Sequence, residues 1–187
     1  MCSGGRMCNA RSRNKMLCTL LVILLASIGW LCGSAEATAG GLLSIPELTS
    51  RAEVIVIGGV VASQSEWDQS GRVIVTQVQL KVEEALKGAV SETGLSFFQL
   101  GGKVGDMVLA VPDTPIFRPG ERTLLFLARK REGSLGVIGL FQGKFCIERD
   151  PASSLDMAIR RAPGSDRILD QVPLELARSQ ILTALGR

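Results

Sequence analysis

The run of β-branched and apolar residues from Ala52 to Val61, Ala-Glu-Val-Ile-Val-Ile-Gly-Gly-Val-Val, restricts the fold of this chain more than any other feature. β-Branched residues favour strands, and a run without polar alternation predicts a strand buried on both faces or placed inside a barrel. Gly58 and Gly59 indicate a bulge or a sharp bend within it. The Gly-x-Gly-x-x-Gly spacing of a dinucleotide-binding loop is absent.

A second strand is predicted from Ile74 to Glu83, where apolar and polar residues alternate. One face carries apolar side chains together with a threonine: Ile74, Thr76, Val78, Leu80 and Val82. The other face carries polar side chains: Gln77, Gln79, Lys81 and Glu83. This period of two predicts a long strand with one solvated face.

The rest of the chain reads as short strands between turns, with a helix near each end. Further strands are predicted over 95–100, 107–111, 123–128, 135–140 and 144–148. Ser44-Ile45-Pro46-Glu47 fits a capping box that opens a helix over 45–51. An amphipathic helix is predicted over 173–185, after a polar loop over 150–170. We therefore predict a mainly β protein, a small antiparallel OB-like barrel of five to seven strands, because closure removes exposed edges.

Residues 1–37 have the pattern of a secretory signal peptide. Four basic residues precede an uncharged segment from Met16 to Leu31. Ala35-Glu36-Ala37 supplies the preferred cleavage site, and Ala37-Thr38-Ala39 is the alternative. The predicted organisation is a signal peptide (1–37), an OB-like barrel domain (38–150) and a loop with a C-terminal helix (151–187). The predicted location is secreted or periplasmic, and the alternative is a protein anchored in the membrane by residues 16–32.

Cleavage changes the charge and the cysteine content. It removes four basic residues and Glu36, so the formal charge falls from +3 to zero. No overall field then attracts nucleic acid, and a membrane is expected to contact only an uncleaved signal segment. Four of the five cysteines also leave, and Cys146 remains. We expect Cys146 to be a buried strand residue, and the alternative is an exposed thiol available to a partner.

Three segments together carry a resemblance to known proteins: Ala52–Gly58, Val78–Gly88 and Phe117–Leu127. Their order resembles a set of secreted bacterial proteins of unknown function and, more distantly, the netrin-like OB barrel of tissue inhibitors of metalloproteinases. The resemblance covers residues 45–147 and implies the barrel. Those inhibitors act through an N-terminal Cys-x-Cys laid against a catalytic zinc. The predicted mature start, Thr38-Ala39-Gly40, lacks it, so inhibitor activity is not implied.

The sequence favours a protein that binds over one that catalyses. The chain has no histidine, which excludes an imidazole base and His-ligated metal sites, and no catalytic residue, metal or cofactor is predicted. We predict a non-catalytic extracytoplasmic module that binds a protein or an envelope polymer. The candidate binding surfaces are the loop 112–119 and four residues: Trp67, Gln77, Gln79 and Lys81.

Three alternatives stay open. Trp67 could instead cover one end of the barrel. The chain could be a carboxylate-dependent hydrolase of envelope polymers, which needs two carboxyl groups roughly 5–9 Å apart across a cleft. Glu83 and Glu84 cannot supply that pair, because adjacent strand residues point to opposite faces. The C-terminal helix could also serve to dock an envelope protein onto a partner.

Overall fold

A computed structural model of the protein describes residues 41–91, 94–131 and 133–187. The predicted signal peptide (1–37) and the alternative anchor (16–32) lie outside these residues, so export stays a prediction. Residues 42–187 form one compact unit. Within the described part of the chain, no helix is long and apolar enough to cross a membrane.

The described residues contain two α-helices and ten strands. The helices are α1 (Ile45–Arg51) and α2 (Leu174–Ala184). The first five strands are β1 (Val54–Trp67), β2 (Ile74–Lys87), β3 (Leu95–Leu100), β4 (Gly102–Val104) and β5 (Met107–Leu109). The other five are β6 (Arg122–Arg129), β7 (Leu135–Val137), β8 (Lys144–Arg149), β9 (Asp156–Arg161) and β10 (Ile168–Pro173). A 3-10 turn (Leu140–Gly143) leads into β8.

The main sheet is an antiparallel half-barrel. Its strands follow the order β10-β9-β8-β6-β1-β2-β3, and β7 pairs with β6 beside β8. Strands β4 and β5 pair only with each other among the described strands and form a separate two-stranded ribbon. The prediction of a mainly β, antiparallel barrel-like fold with one helix near each end is confirmed.

The first half of strand β1 is buried on both faces, as the unbroken apolar run predicts, because the strand lies in the middle of the sheet. Ile55 and Ile57 belong to a core cluster beneath the two helices. Val56 and Val60 belong to a second cluster on the other face. The predicted irregularity is present, since the pairing of β1 with β2 shifts register between Ile57 and Gly58. A Cβ atom at Gly58 would lie 2.5 Å from the carbonyl oxygen of Lys81, so only glycine permits this approach.

Both helices cover the first core cluster. Ser44 caps α1 through the predicted capping box with Glu47, and Leu48 is fully buried. The apolar stripe of α2 places Leu174, Ala177 and Ile181 in the same cluster. Because the chain itself buries this stripe, the hypothesis that α2 exists to dock a partner loses its basis.

The predicted loop over residues 150–170 is wrong. Residues 156–161 and 168–173 form β9 and β10, and β9 pairs directly with β8. The polar composition of this segment predicts a loop because it does not show that its arginines have partners. In the structure Arg160 is fully buried with its guanidinium 4.4 Å from the ring centre of Phe145. Arg161 binds Glu148 on the neighbouring strand at 2.8 Å.

Strand β1 is longer than the apolar run over 52–61 that predicts it. Strand β1 continues to Trp67, which pairs with Ile74. The turn is held by Asp68, which accepts backbone hydrogen bonds from Arg72 at 2.9 Å and Val73 at 3.0 Å. Polar residues of this part of β1 therefore belong to a strand whose cross-strand partners lie in β2.

Candidate functional site

The four residues predicted to bind do not form one surface. Gln79 and Lys81 are exposed and Gln77 is half-buried on the outer face of β2. Trp67 lies on the opposite face, since it is paired with Ile74 near the hydrogen bond of 2.9 Å between Ser65 and Thr76. Trp67 is 42% exposed at the end of β1. Gln77 is paired with Phe98 of β3, an exposed aromatic residue on the same face.

The predicted loop 112–119 lies between two concave sites, one apolar and one charged. Phe117 anchors the loop, since it is buried and makes an edge-to-face contact with Phe97 at 5.4 Å between ring centres. The side-chain amide of Gln99 donates to the carbonyl oxygen of Pro115 at 2.9 Å. These contacts hold the loop in a fixed position, so it can shape both sites without rearranging.

The apolar site, called here the apolar groove, has a volume of about 420 Å³. Its apolar side chains come from several elements and the segments between them: Val75, Phe98, Leu100, Val111, Val137 and Leu140. Leu100 and Leu140 are 51% and 46% exposed. Concave sites lined mainly by apolar residues with a few polar groups are the usual form of a binding site.

Two residues with unusual backbone conformations lie at the groove: Leu140 lines it, and Asp113 directly precedes Thr114, which lines it. Asp113 has φ 61° and Leu140 has φ 57°, in the left-handed region that non-glycine residues rarely adopt. The amide of Phe141 donates to the carbonyl oxygen of Asp113 at 3.0 Å and links the two segments. Such conformations cost about 1–3 kcal/mol each and cluster at binding and active sites.

The second site, called here the charged cleft, centres on a buried lysine. Lys144 Nζ lies 2.7 Å from Glu121 Oε1 and 2.9 Å from Oε2, and it also donates to the carbonyl oxygen of Ile116. Its side chain is only 8% exposed and its Nζ lies 4.6 Å from the ring centre of Phe117. The thiol of Cys146 donates to Glu121 Oε1 at 2.8 Å. Lys144 therefore fastens the loop 112–119 to strand β8.

The electrostatics of the cleft keep Glu121 ionised and Cys146 protonated. Burial raises the pKa of the Glu121 carboxyl, but hydrogen bonds from Cys146 and Lys144 and the charge of Lys144 outweigh it, so this pKa lies below its usual value. Burial is also the main cause that raises the pKa of Cys146 to about 11. Glu121 raises the pKa of Cys146 as well, whereas Lys144 and Arg161 lower it. Cys146 is thus half-buried, between the two expectations, and is a hydrogen-bond donor rather than a nucleophile.

Cys146 is expected to react about 100-fold more slowly with iodoacetamide at about pH 8 than a cysteine in an unfolded peptide, because its thiolate fraction falls with the raised pKa. The measurement is the alkylation rate of the Cys146 peptide by mass spectrometry, with the denatured protein as the control. Equal rates in the native and denatured protein would contradict a buried, protonated thiol.

The Glu121 ion pair should make stability depend on pH in the acid range. A carboxyl whose folded pKa is lowered contributes stability above its unfolded pKa, about 4.3, and loses it as the pH falls through the lower folded pKa. We expect the melting temperature of the wild type to fall more steeply below about pH 4.5 than that of Glu121→Gln, which has no carboxyl group to titrate at this position. Parallel pH profiles of the two proteins would contradict this assignment.

A second carboxylate of the cleft, that of Glu148, is also paired. Both carboxylate oxygens of Glu148 accept from Arg161 at 2.8 Å. Within the described residues, no group of three or more His, Cys, Asp or Glu side chains is arranged to hold a metal ion. The site therefore offers fixed charges and an apolar surface.

Sequence reasoning missed the two lysines that define these sites. Lys130 lies between the predicted strands over 123–128 and 135–140, yet its Nζ donates to the carbonyl oxygen of Phe98 at 3.1 Å across the groove. Lys144 is the first residue of the predicted strand over 144–148. Its signal was present, since Lys144 and Cys146 share one face of a strand that alternates with Phe145 and Ile147. A lysine on that face requires a partner if the face is buried.

Comparisons with known proteins give no relative: no protein-family model, no curated protein and no solved structure matches this chain.

Proposed function

We propose that this protein is a non-catalytic binding module, acting outside the cytoplasm, that takes an apolar segment of another protein into the apolar groove. The observation that carries the proposal is the groove itself, with exposed Phe98 and Leu100 beside a concave apolar lining. Exposed apolar side chains gathered in one place mark interaction surfaces. A protein segment suits this lining better than a polysaccharide, whose hydroxyl groups need polar partners.

The state of the charged cleft supports binding over catalysis. Lys144, Glu121 and Cys146 satisfy one another, and together they hold the loop that forms one wall of the groove. In this proposal the cleft is a support for the groove. Its buried ion pair fixes the loop geometry on which the shape of the groove depends.

The hydrolase alternative has one observation in its favour, because Glu121 and Glu148 line the same cleft. A glycoside hydrolase needs one carboxyl that stays protonated as a general acid, and this requires a raised pKa. The pKa of Glu121 is lowered instead, and Glu148 is bound by Arg161. These pairings favour the binding module.

Export from the cytoplasm is supported by the sequence of residues 1–37, with its basic start, uncharged segment and small residues before the predicted cleavage site. A binding module in an oxidising compartment benefits from an unreactive thiol, and the raised pKa of Cys146 provides this. The N-terminal residue and the cellular fraction of the expressed protein test this part of the proposal.

Photocrosslinking tests the groove in intact cells. With benzoylphenylalanine in place of Phe98, we expect a defined protein adduct whose yield falls at least about tenfold when Leu100→Asp is added, because a charge in the groove opposes burial of apolar surface. The matched control is Leu176→Asp, since Leu176 is 48% exposed on α2 and does not line the groove. No adduct, or an adduct that Leu100→Asp leaves unchanged, would refute the proposal.

A further inference from the structure

The two-stranded ribbon β4–β5 carries the two most exposed large apolar side chains among the described residues. Met107 and Val108 are 60% and 65% exposed. Because consecutive strand residues point to opposite faces, the end of the ribbon carries one exposed apolar side chain on each face. It is attached at its base, where Gly102 lies against the side chains of Ser65 and Thr76. An isolated two-stranded ribbon is marginally stable in water, so an additional contact would stabilise it.

The ribbon and the apolar groove carry complementary charges. Among the described residues, Lys130 is the one charged side chain that lines the groove, and its bond is to a backbone carbonyl and not to a carboxylate. Asp106 is exposed at the tip of the ribbon, directly before Met107, and has no ion pair with any described residue. The tip thus offers an apolar segment with one acid, and the groove offers an apolar surface with one base.

A second pair of charges fits the same arrangement. Lys103 is paired with Val108 in the ribbon and is exposed. Asp113 is exposed in the loop that borders the groove. The ribbon and the groove border therefore each present one acidic and one basic residue, and neither surface repels the other by net charge.

The chain places the tip and the groove on neighbouring parts of one surface. Strand β4 begins two residues after Leu100, and β5 ends two residues before Val111, and both of these residues line the groove. The base of the ribbon therefore lies at the rim of the groove of its own chain, and the tip extends from that base. When projection and recess are adjacent, a two-fold axis lets each of two copies insert its tip into the recess of the other, which gives a closed dimer.

We propose that the occupant of the apolar groove is the ribbon tip of a second copy of this chain, Asp106-Met107-Val108, with Asp106 of one copy paired with Lys130 of the other. The inference rests on the proposed function, because it names the protein segment that the groove binds. The two copies exchange tips reciprocally, so that the apolar surface of both tips and both grooves is removed from water.

Sedimentation velocity of the full chain tests this dimer. The wild type is expected to sediment as a dimer at about 100 μM. Met107→Asp and Lys130→Glu should each weaken the dimer at least about tenfold, the first by placing a charge in an apolar contact and the second by a like-charge contact with Asp106. Leu176→Asp is the matched control and should leave the dimer unchanged. Circular dichroism is the control for folding, and we expect each variant to keep the fold because every substituted side chain is exposed.

Charge exchange gives the sharper measurement. Asp106→Lys alone should weaken the dimer as Lys130→Glu does. The double variant Asp106→Lys, Lys130→Glu should recover a dimer dissociation constant within about threefold of the wild-type value, because the pair is restored with reversed signs. A wild type that is monomeric at about 100 μM would overturn the inference. A dimer that Met107→Asp leaves intact, or a double variant no better than either single variant, would also overturn it.

The outcomes separate this inference from the proposed function. If the protein is monomeric while Phe98 crosslinks a different protein in a manner sensitive to Leu100→Asp, the groove binds another partner and the second copy is refuted. If neither a dimer nor an adduct forms, both proposals fail. An adduct with twice the mass of the chain supports both.

Discussion

Lys144→Met is expected to lower the free energy of unfolding by about 3–5 kcal/mol, because breaking a buried ion pair leaves the other charge without its partner. In the variant, Glu121 would keep hydrogen bonds from the thiol of Cys146 and from the amide of Arg118, at 2.8 Å and 3.1 Å. These donors do not neutralise a carboxylate that is only 15% exposed. The loss is measured by urea unfolding near neutral pH.

The matched control for this prediction is Lys81→Met, since Lys81 is exposed on β2. Surface substitutions of this kind change stability by less than about 0.5 kcal/mol. The double variant Lys144→Met, Glu121→Leu should recover part of the loss, because replacing both partners removes the unpaired charge. If Lys144→Met were as mild as Lys81→Met, the ion pair would not hold the loop 112–119.

The destabilisation by Lys144→Met should also depend on pH. Without Lys144, the pKa of Glu121 loses the interactions with the lysine that hold it down, so burial raises it. The carboxyl then takes up a proton at a higher pH and sheds its charge. We expect the difference between Lys144→Met and the wild type to shrink as the pH falls from the raised pKa of Glu121 in the variant to its lowered pKa in the wild type, because the variant takes up its proton first.

Gly102→Ala is expected to lower the free energy of unfolding by about 3–4 kcal/mol, since it combines backbone strain with a steric clash. Gly102 has φ 137°, which side-chain-bearing residues rarely adopt. A Cβ atom there would lie 2.5 Å from Thr76 Oγ1 and 2.8 Å from Ser65 Cβ. Thr76 has little room to yield, because its hydroxyl also donates to the carbonyl oxygen of Gly101 at 2.6 Å.

Gly105→Ala is the matched control for the clash. Gly105 also has a positive φ, 58°, but a Cβ atom there would meet nothing within 4 Å. We expect it to cost about 1 kcal/mol from backbone strain alone. The difference in the free energy of unfolding between Gly102→Ala and Gly105→Ala, measured in urea, isolates the contact of the ribbon base with β1 and β2. Equal losses at the two positions would show that the ribbon does not depend on that contact.

The elements that were predicted correctly are those whose signals are local. The capping box of Ser44 and Glu47 fixes the start of α1 within four residues of sequence. The apolar run of β1 and the alternation of β2 are expressed in the order of side chains along one strand. The stripe of α2 likewise lies within one helix. Such patterns predict an element without knowledge of its neighbours.

The errors came from residues whose environment is set far away in the chain. Arg160 lies in the predicted loop over 150–170, but its guanidinium stacks on Phe145 and donates to the carbonyl oxygen of Leu43 at 2.8 Å, 117 positions earlier. Strand β9 is therefore buried on a face that carries an arginine. Neither partner can be identified from the sequence next to Arg160, so the segment 156–161 looked like a loop.

The candidate site likewise separates what is local in sequence from what is not. Residue order and composition alone predict antiparallel strands with a helix near each end, and they show that histidine is not among the acid–base groups of the chain. The apolar groove and the pairing of Lys144 with Glu121 were decided only by the tertiary structure. Their members come from β2, β3, β7, β8 and the loops, and only the curvature of the sheet brings them within contact distance.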